Sequence, residues 1–331
     1  MPHSWPAPAL CAVLFITLLT GAPAAAQHGS QTIMGLPQLV QRLGNQTPTG
    51  ETIIVAEIEA PNANGHYGPN VNNADFVGKT FIEMSGPAGS SSHATTVGKF
   101  LFGLPWSLAP GITEIYLYSA GGWLQSDYLQ TGAANSVVPH LPPAPIRVMN
   151  HSWIGSLGAN DLTNVALQRA DFAANRDQIL MVAGVNNAPP AFPLMSHLYN
   201  GLAVGLRNGT HVTSDTLVGY DGPGRMKPEI VGPDNFTSFA TPMVGAAASL
   251  LFETADTWPE LAGDADASRI EVIKAALLTG AVRENQSKGV WSNNPETSGP
   301  LRGFTSRPLD MVVGAGTVHI DRSHRVLTGG R

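Results

Sequence analysis

The chain has 331 residues, 43% of them hydrophobic and 13% charged, which is apolar material for a large globular core. A formal net charge of -6, with no basic stripe and no run of like charges, argues against nucleic acid as a partner. The 36 glycines and 26 prolines follow no fixed period, so they read as turns of a loop-rich domain and exclude a fibre or a low-complexity tract.

In chain order, the apolar run ALCAVLFITLLT (9–20) and the following APAAAQ predict a secretory signal peptide over 1–26, a mature start at Gln27 and a secreted or periplasmic location. The run is short of the ~20 apolar residues that span a bilayer, so no stable membrane insertion is expected after cleavage. Cys11, the sole cysteine, lies inside it, which leaves the mature chain without thiol or disulfide. Residues 27–51 read as a lead-in with a short amphipathic helix, LPQLVQRL (36–43). TIIVAEIEA (52–60) is predicted to be a buried strand, rich in β-branched residues and closed by a Pro/Asn/Gly turn region. Runs of the same kind follow at 114–120, 146–153, 179–185 and 201–206. Between the third and fourth of these five strands, residues 160–177 predict a helix with Leu162, Val165, Ala166, Ala170 and Ala173 on one face and Asn160 or Asp161 as its cap. A further helix is expected over 268–281, with Ile270, Ile273, Ala276 and Leu277 in register. Strands alternating with helices imply an α/β fold, a mostly parallel sheet covered on both faces, with chemistry at the carboxyl ends of the strands. Neither a repeat nor a long linker divides 52–331, so one domain is expected.

NFTSFATPMVGAAASLLF (235–252) is almost wholly apolar or small, yet opens on Thr237 and Ser238 and contains Pro242. A helix there must run through the interior. Pro242 fits best in a first turn, where its missing N–H has no partner to lose, so the helix is expected to start near Ser238. That places a hydroxyl where free N–H groups and the helix dipole favour negative charge. Helix capping by Thr237 and Ser238 and nucleophilic catalysis are both compatible with the segment.

GRMKPEIVGPDNFTSFATPMVGAAASLL (224–251) resembles the nucleophile region of subtilisin-like serine proteases (subtilases, peptidase S8), in which a G-R-x-K-P-D-I-x-A-P lead precedes G-T-S-x-A-T-P-x-V. Gly224, Arg225, Lys227, Pro228, Ile230, Pro233, Thr237, Ser238, Ala240, Thr241, Pro242 and Val244 fall on that pattern, and Phe236 replaces the usual glycine. SSHATTVGKFLFG (91–103) resembles the family's S-H-G-T-H-V-A-G, and VAEIEA (55–60) its V-A-V-I-D-S-G. The resemblance implies a three-layer α/β fold and an acyl-enzyme mechanism with Ser238 as nucleophile, His93 as its base and Glu59, where the family has aspartate, as the group orienting His93; Glu57, on the same strand face, is the fallback. LMVAGVNN (180–187) resembles the strand end that carries the oxyanion asparagine, which implies Asn186 in that role. VMNHSWIGS (148–156) resembles the edge that holds extended substrate and walls its first pocket, implying Ser152, Trp153 and Gly155, with Ile154 where glycine is common. The implied function is a secreted endopeptidase acting on protein or peptide substrates without a cofactor. Calcium is a frequent structural ligand in the family, but no acidic cluster here has the spacing to name a metal site. Because Glu59, Phe236 and Ile154 depart from the pattern together, the alternative is a subtilase-shaped peptide- or protein-binding protein that has lost turnover. Sedolisins, which share the fold, use glutamate for the histidine and aspartate for the asparagine, so His93 and Asn186 argue against that branch.

Overall fold

The computed structural model describes residues 29–132, 137–158, 160–215, 226–285, 289–290 and 309–329. The signal-peptide segment with Cys11, the Gly224–Arg225 pair and the side chains of Asn160 and Asp161 lie outside the described residues.

The elements are α1 (Gly29–Ile33), α2 (Leu36–Leu43), β1 (Ile54–Glu59), β2 (Thr80–Glu83), α3 (Ser92–Leu101), β3 (Glu114–Ser119), α4 (Ala120–Gly122), β4 (Ile146–His151), α5 (Asn160–Asp177), β5 (Leu180–Gly184), β6 (Leu202–Leu206), β7 (Ser214–Asp215), β8 (Met226–Lys227), β9 (Ile230–Gly232), α6 (Thr237–Thr257), α7 (Ile270–Gly280), β10 (Glu284–Asn285), β11 (Gly289–Val290) and α8 (Ile320–Leu327). Seven strands form one parallel sheet in the order β2-β3-β1-β4-β5-β6-β9. β4, β5, β6 and β9 are buried on both faces or nearly so, which is why they read as continuous apolar runs.

Two layers of helix cover the sheet. α6 packs across β4, β5, β6 and β9, with α3 beside it and against β1. The opposite face carries His151, whose neighbour Asn150 points the other way by strand alternation. His151 sits between Trp123 and Trp153, with ring centroids 4.6 and 5.9 Å away, and Trp123 stacks on Tyr128. Tyr128 in turn donates from its hydroxyl to Asp177 at the end of α5, at 2.8 Å, which places α5 on that second face. Burial without a hydrogen-bond partner pushes the His151 imidazole down to about 3, so it stays neutral.

α6 is the interior spine expected from its composition. Leu250, Leu251 and Phe252 are fully buried, and each such side chain stabilises the fold by about 1.5–3 kcal/mol. Small residues let other elements approach: a Cβ on Gly232 of β9 would lie 3.0 Å from the Cβ of Ala240. The lead-in is fastened to the same body, because Glu253 Oε2 accepts from the backbone N–H groups of Thr49 (2.7 Å) and Gly50 (2.6 Å), and Arg42 of α2 bonds Asp321 of α8 at 2.7 Å. The Lys227-Pro228 motif also proves to be internal. Lys227 is 1% exposed, donates to the carbonyl of Leu198 at 2.7 Å and pairs with Glu229 at 3.0 Å, and Lys274 closes the group at 2.7 Å from Glu229. No helix among the described residues is long and apolar enough to cross a membrane.

One expectation about α6 needs correction. The helix begins at Thr237, so Pro242 is its sixth residue and lies beyond the first turn. The carbonyl it cannot serve is that of Ser238, four residues back, and the hydroxyl of Ser152 donates to that carbonyl instead, at 2.8 Å. Asn150 Nδ2 donates to the same hydroxyl oxygen at 2.9 Å. The proline is therefore tolerated because a side chain from the end of β4 replaces its missing donor.

Candidate active site

Three segments far apart in the chain meet at the carboxyl edge of the sheet. Glu59 is the last residue of β1 and is 1% exposed. His93 is the second residue of α3, whose start is fixed by Ser91: its Oγ accepts from the Ala94 N–H and its own N–H donates to the Gly68 carbonyl. Nδ1 of His93 lies 2.6 Å from Oε2 of Glu59. Although the glutamate is one methylene longer than the family's aspartate, the carboxylate–imidazole pair is formed. The Glu59 hydrogen bond pushes the imidazole above its ordinary range, with partial burial opposing it. Burial raises the Glu59 carboxyl, and the bond to His93 works against that rise. Glu57 takes no part in this contact; both its oxygens lack partners.

Ser238 is the second residue of α6 and half-buried. The His93 ring is packed against the next residue, Phe239, with centroids 5.7 Å apart. Neither the hydroxyl nor the backbone N–H of Ser238 has a hydrogen-bond partner among the described residues. Catalytic hydrogen bonds of this kind are commonly long without substrate and tighten when it binds. The capping alternative is not what the residues do. The residue before the helix, Phe236, has no side-chain cap to offer, and the Thr237 hydroxyl donates sideways to Asn187 Oδ1 at 3.2 Å.

A pocket of about 60 Å³ opens beside Ser238, with Ser152, Trp153 and Ile154 on one side and Gly184, Asn187 and Thr237 on the other. Two of the expected residues lie elsewhere. Asn186 is 3% exposed and its amide is spent on the turn that follows β5, donating to the Pro190 carbonyl at 2.5 Å and accepting from the Phe192 N–H at 3.1 Å. The neighbouring Asn187 faces the pocket instead. Its Oδ1 accepts from the Thr237 N–H at 2.8 Å, which leaves its NH₂ as the end available to a ligand. Gly155 is not in the pocket lining; its carbonyl accepts from the Leu194 N–H at 3.2 Å in an internal bridge. Ser152 and Trp153 do line the pocket, with Ser152 holding the Ser238 carbonyl besides.

The Ser238 hydroxyl thus lies at a helix N-terminus, with its own N–H unused and the Asn187 side chain lining the same pocket, and the next residue, Phe239, packs against an imidazole held by a buried carboxylate. Such a set can activate an alcohol and bind an oxyanion. Among the described residues no group of three or more His, Cys, Asp or Glu side chains is arranged to hold a metal ion.

Neither a protein-family model nor a curated protein matches the chain. Solved structures do. The prenylagaramide maturation protease PagA is similar at 18% identity, over 88% of this chain and 99% of that one, with a TM-score of 0.55. A mutant of the protease domain of PatA is similar at 17% identity, over 86% of this chain and 98% of that one, with a TM-score of 0.51. At these identities the likeness concerns the fold, which is the subtilisin-like α/β arrangement around a seven-stranded parallel sheet.

Proposed function

We propose that this chain is a serine peptidase that cleaves protein or peptide substrates through an acyl-enzyme. Ser238 attacks the scissile carbonyl, His93 takes its proton and returns it to the leaving amine, and Glu59 holds the imidazole with Nδ1 protonated so that Nε2 is free to act as base. The Ser238 N–H and Asn187, in place of Asn186, bind the oxyanion. The 2.6 Å contact between Glu59 and His93, beside a helix N-terminus whose serine hydroxyl is unencumbered, carries this reading. The subtilisin-like fold and the protease domains that share it support it. The apolar run at 9–20 supports export as its setting.

The test is active-site labelling of the purified protein with a fluorophosphonate. Ser238 is the expected adduct site, and His93→Ala is expected to slow labelling severely while leaving the fold intact. A folded protein that never reacts refutes the peptidase reading, and peptide binding without hydrolysis then identifies the non-catalytic alternative.

A further inference from the structure

β1 places two carboxyls on one face, Glu57 and Glu59, each 1% exposed. Their partners differ. Oε2 of Glu59 is bonded to His93, whereas Oε1 of Glu59 and both oxygens of Glu57 have no hydrogen-bond partner. In strand register Glu57 lies beside Asn150, whose Oδ1 is also partnerless because its Nδ2 end is committed to Ser152. Four buried oxygens thus share one face, and every one is an acceptor. Among the described residues no donor reaches any of these four oxygens. β3 presents Leu117 in register with Glu57, α6 presents Gly245 near Asn150, and α3 brings His93, whose Nδ1 is already used. The titratable groups facing Glu57 are therefore Glu59 on its own strand and His93 behind it.

Buried polar atoms in folded proteins are almost always satisfied. The donor that needs no further molecule is a proton on one of the two carboxyls, which stand two strand positions apart, about 7 Å along the backbone, and can meet across their side chains. Two neighbouring carboxyls in an unsolvated site do not both ionise. Glu59 has the imidazole to stabilise its charge, and Glu57 has nothing.

We propose that Glu57 is held as a neutral carboxylic acid that donates its proton to Oε1 of Glu59, and so acts as a positioning residue for the Glu59–His93 pair. Burial and the adjacent Glu59 charge both push the Glu57 carboxyl well above the usual carboxylate range, as this assignment requires. The acid completes the hydrogen bonding of Glu59 without adding a second negative charge beside His93, and it limits how basic the Glu59–His93 pair becomes. The catalytic side of this assignment rests on the peptidase reading; the protonation of Glu57 does not.

Two measurements that need no turnover test it. Infrared spectra at neutral pH are expected to show the carbonyl stretch of a protonated carboxyl that disappears in Glu57→Gln. The His93 imidazole, titrated by NMR, is expected to keep its midpoint in Glu57→Gln, whose amide still donates. In Glu57→Val the donor to Glu59 is lost, the carboxylate becomes more basic, and the His93 midpoint rises by about one unit. Absence of the carboxyl band, or a Glu57→Val titration superimposable on the parent's, overturns the assignment. If Glu57→Val does not fold, the infrared comparison with Glu57→Gln decides. A protein that fails to react with fluorophosphonate but shows the band refutes the peptidase reading and upholds this one.

Discussion

Replacing Ser152 with alanine isolates the device that lets a proline stand inside α6. The substitution removes the hydroxyl that donates to the Ser238 carbonyl at 2.8 Å and accepts from Asn150 Nδ2 at 2.9 Å, and Ser152 is only 4% exposed, so water does not readily take its place. Each buried group left without a partner costs about 1–3 kcal/mol, so the two together cost about 2–6 kcal/mol. For a domain of this size that lowers the thermal midpoint by roughly 4–12 °C. The control is Pro242→Ala, which restores a backbone N–H four residues after Ser238, where it can bond the same carbonyl. In that background Ser152→Ala orphans only the Asn150 amide, and its cost is expected to fall by about half. The double-mutant cycle should therefore show a coupling of about 1–3 kcal/mol in thermal or urea unfolding. Costs that add to within about 0.5 kcal/mol would mean that Ser152 does not substitute for the proline's missing donor.

Asn187→Ala is expected to lower kcat by about 10²–10³-fold with little change in stability, the usual loss for one oxyanion donor, whereas Asn186→Ala should chiefly lower the thermal midpoint by loosening the turn at 190–192; the opposite pattern restores Asn186 to the oxyanion role. The acid limb of kcat/KM should lie above that of a free imidazole, because the base must be neutral and its Glu59 partner raises its pKa, so activity is lost as pH falls through that raised value. Glu59→Gln removes the raising charge and should move that limb to lower pH, along with a loss of about 10⁴-fold in kcat; a parent limb at or below the free-imidazole position contradicts the pairing. Gly232→Ala places a methyl 3.0 Å from the Cβ of Ala240 and 3.1 Å from its carbonyl oxygen, so it should destabilise the fold by displacing the start of α6, by about 1–3 kcal/mol in calorimetry.

Most of the sheet was legible because its strands announce themselves in the same way. The predicted runs at 52–60, 114–120, 146–153, 179–185 and 201–206 correspond to β1, β3, β4, β5 and β6, and the helix predicted over 160–177 is α5 with the same bounds. β2 (TFIE) and β9 (IVG) escaped notice because they are short edge strands, where few residues carry the pattern. The contact between Glu59 and His93 was also legible, from the place of each at an element end: a strand's last residue and a helix's first turn. Which of the two asparagines faces the pocket was not, and the reason is register. Beyond Gly184 the chain stays bonded to β6 through the Val185 N–H, at 3.0 Å from the Val204 carbonyl, and Val185 is 2% exposed. Successive side chains there point to opposite sides, so a slip of one position exchanges a turn residue for a pocket residue. Asn186 and Asn187 have identical side chains, and only the bonds to Pro190, Phe192 and Thr237 tell them apart.

The departures from the subtilase pattern are absorbed locally, which explains why they do not disperse the site. Phe236 stands where glycine is usual, but its φ of -130° and ψ of 134° are extended backbone that any residue adopts, so no glycine is required there. Its side chain is 54% exposed and packs edge-on to Phe239, centroids 5.9 Å apart. Phe239 is in turn 5.7 Å from the His93 ring and 6.1 Å from Phe100. The Phe236 side chain thus extends an aromatic row that reaches the imidazole through Phe239. Such a row packs against the ring without offering it a hydrogen bond, so Nε2 is not engaged by it. Glu59 behaves in the same way: its extra methylene is taken up within the buried space under α3, and the bond to Nδ1 is kept at 2.6 Å. Each substitution changes the wall of the site and leaves in place the polar atoms on which its chemistry depends.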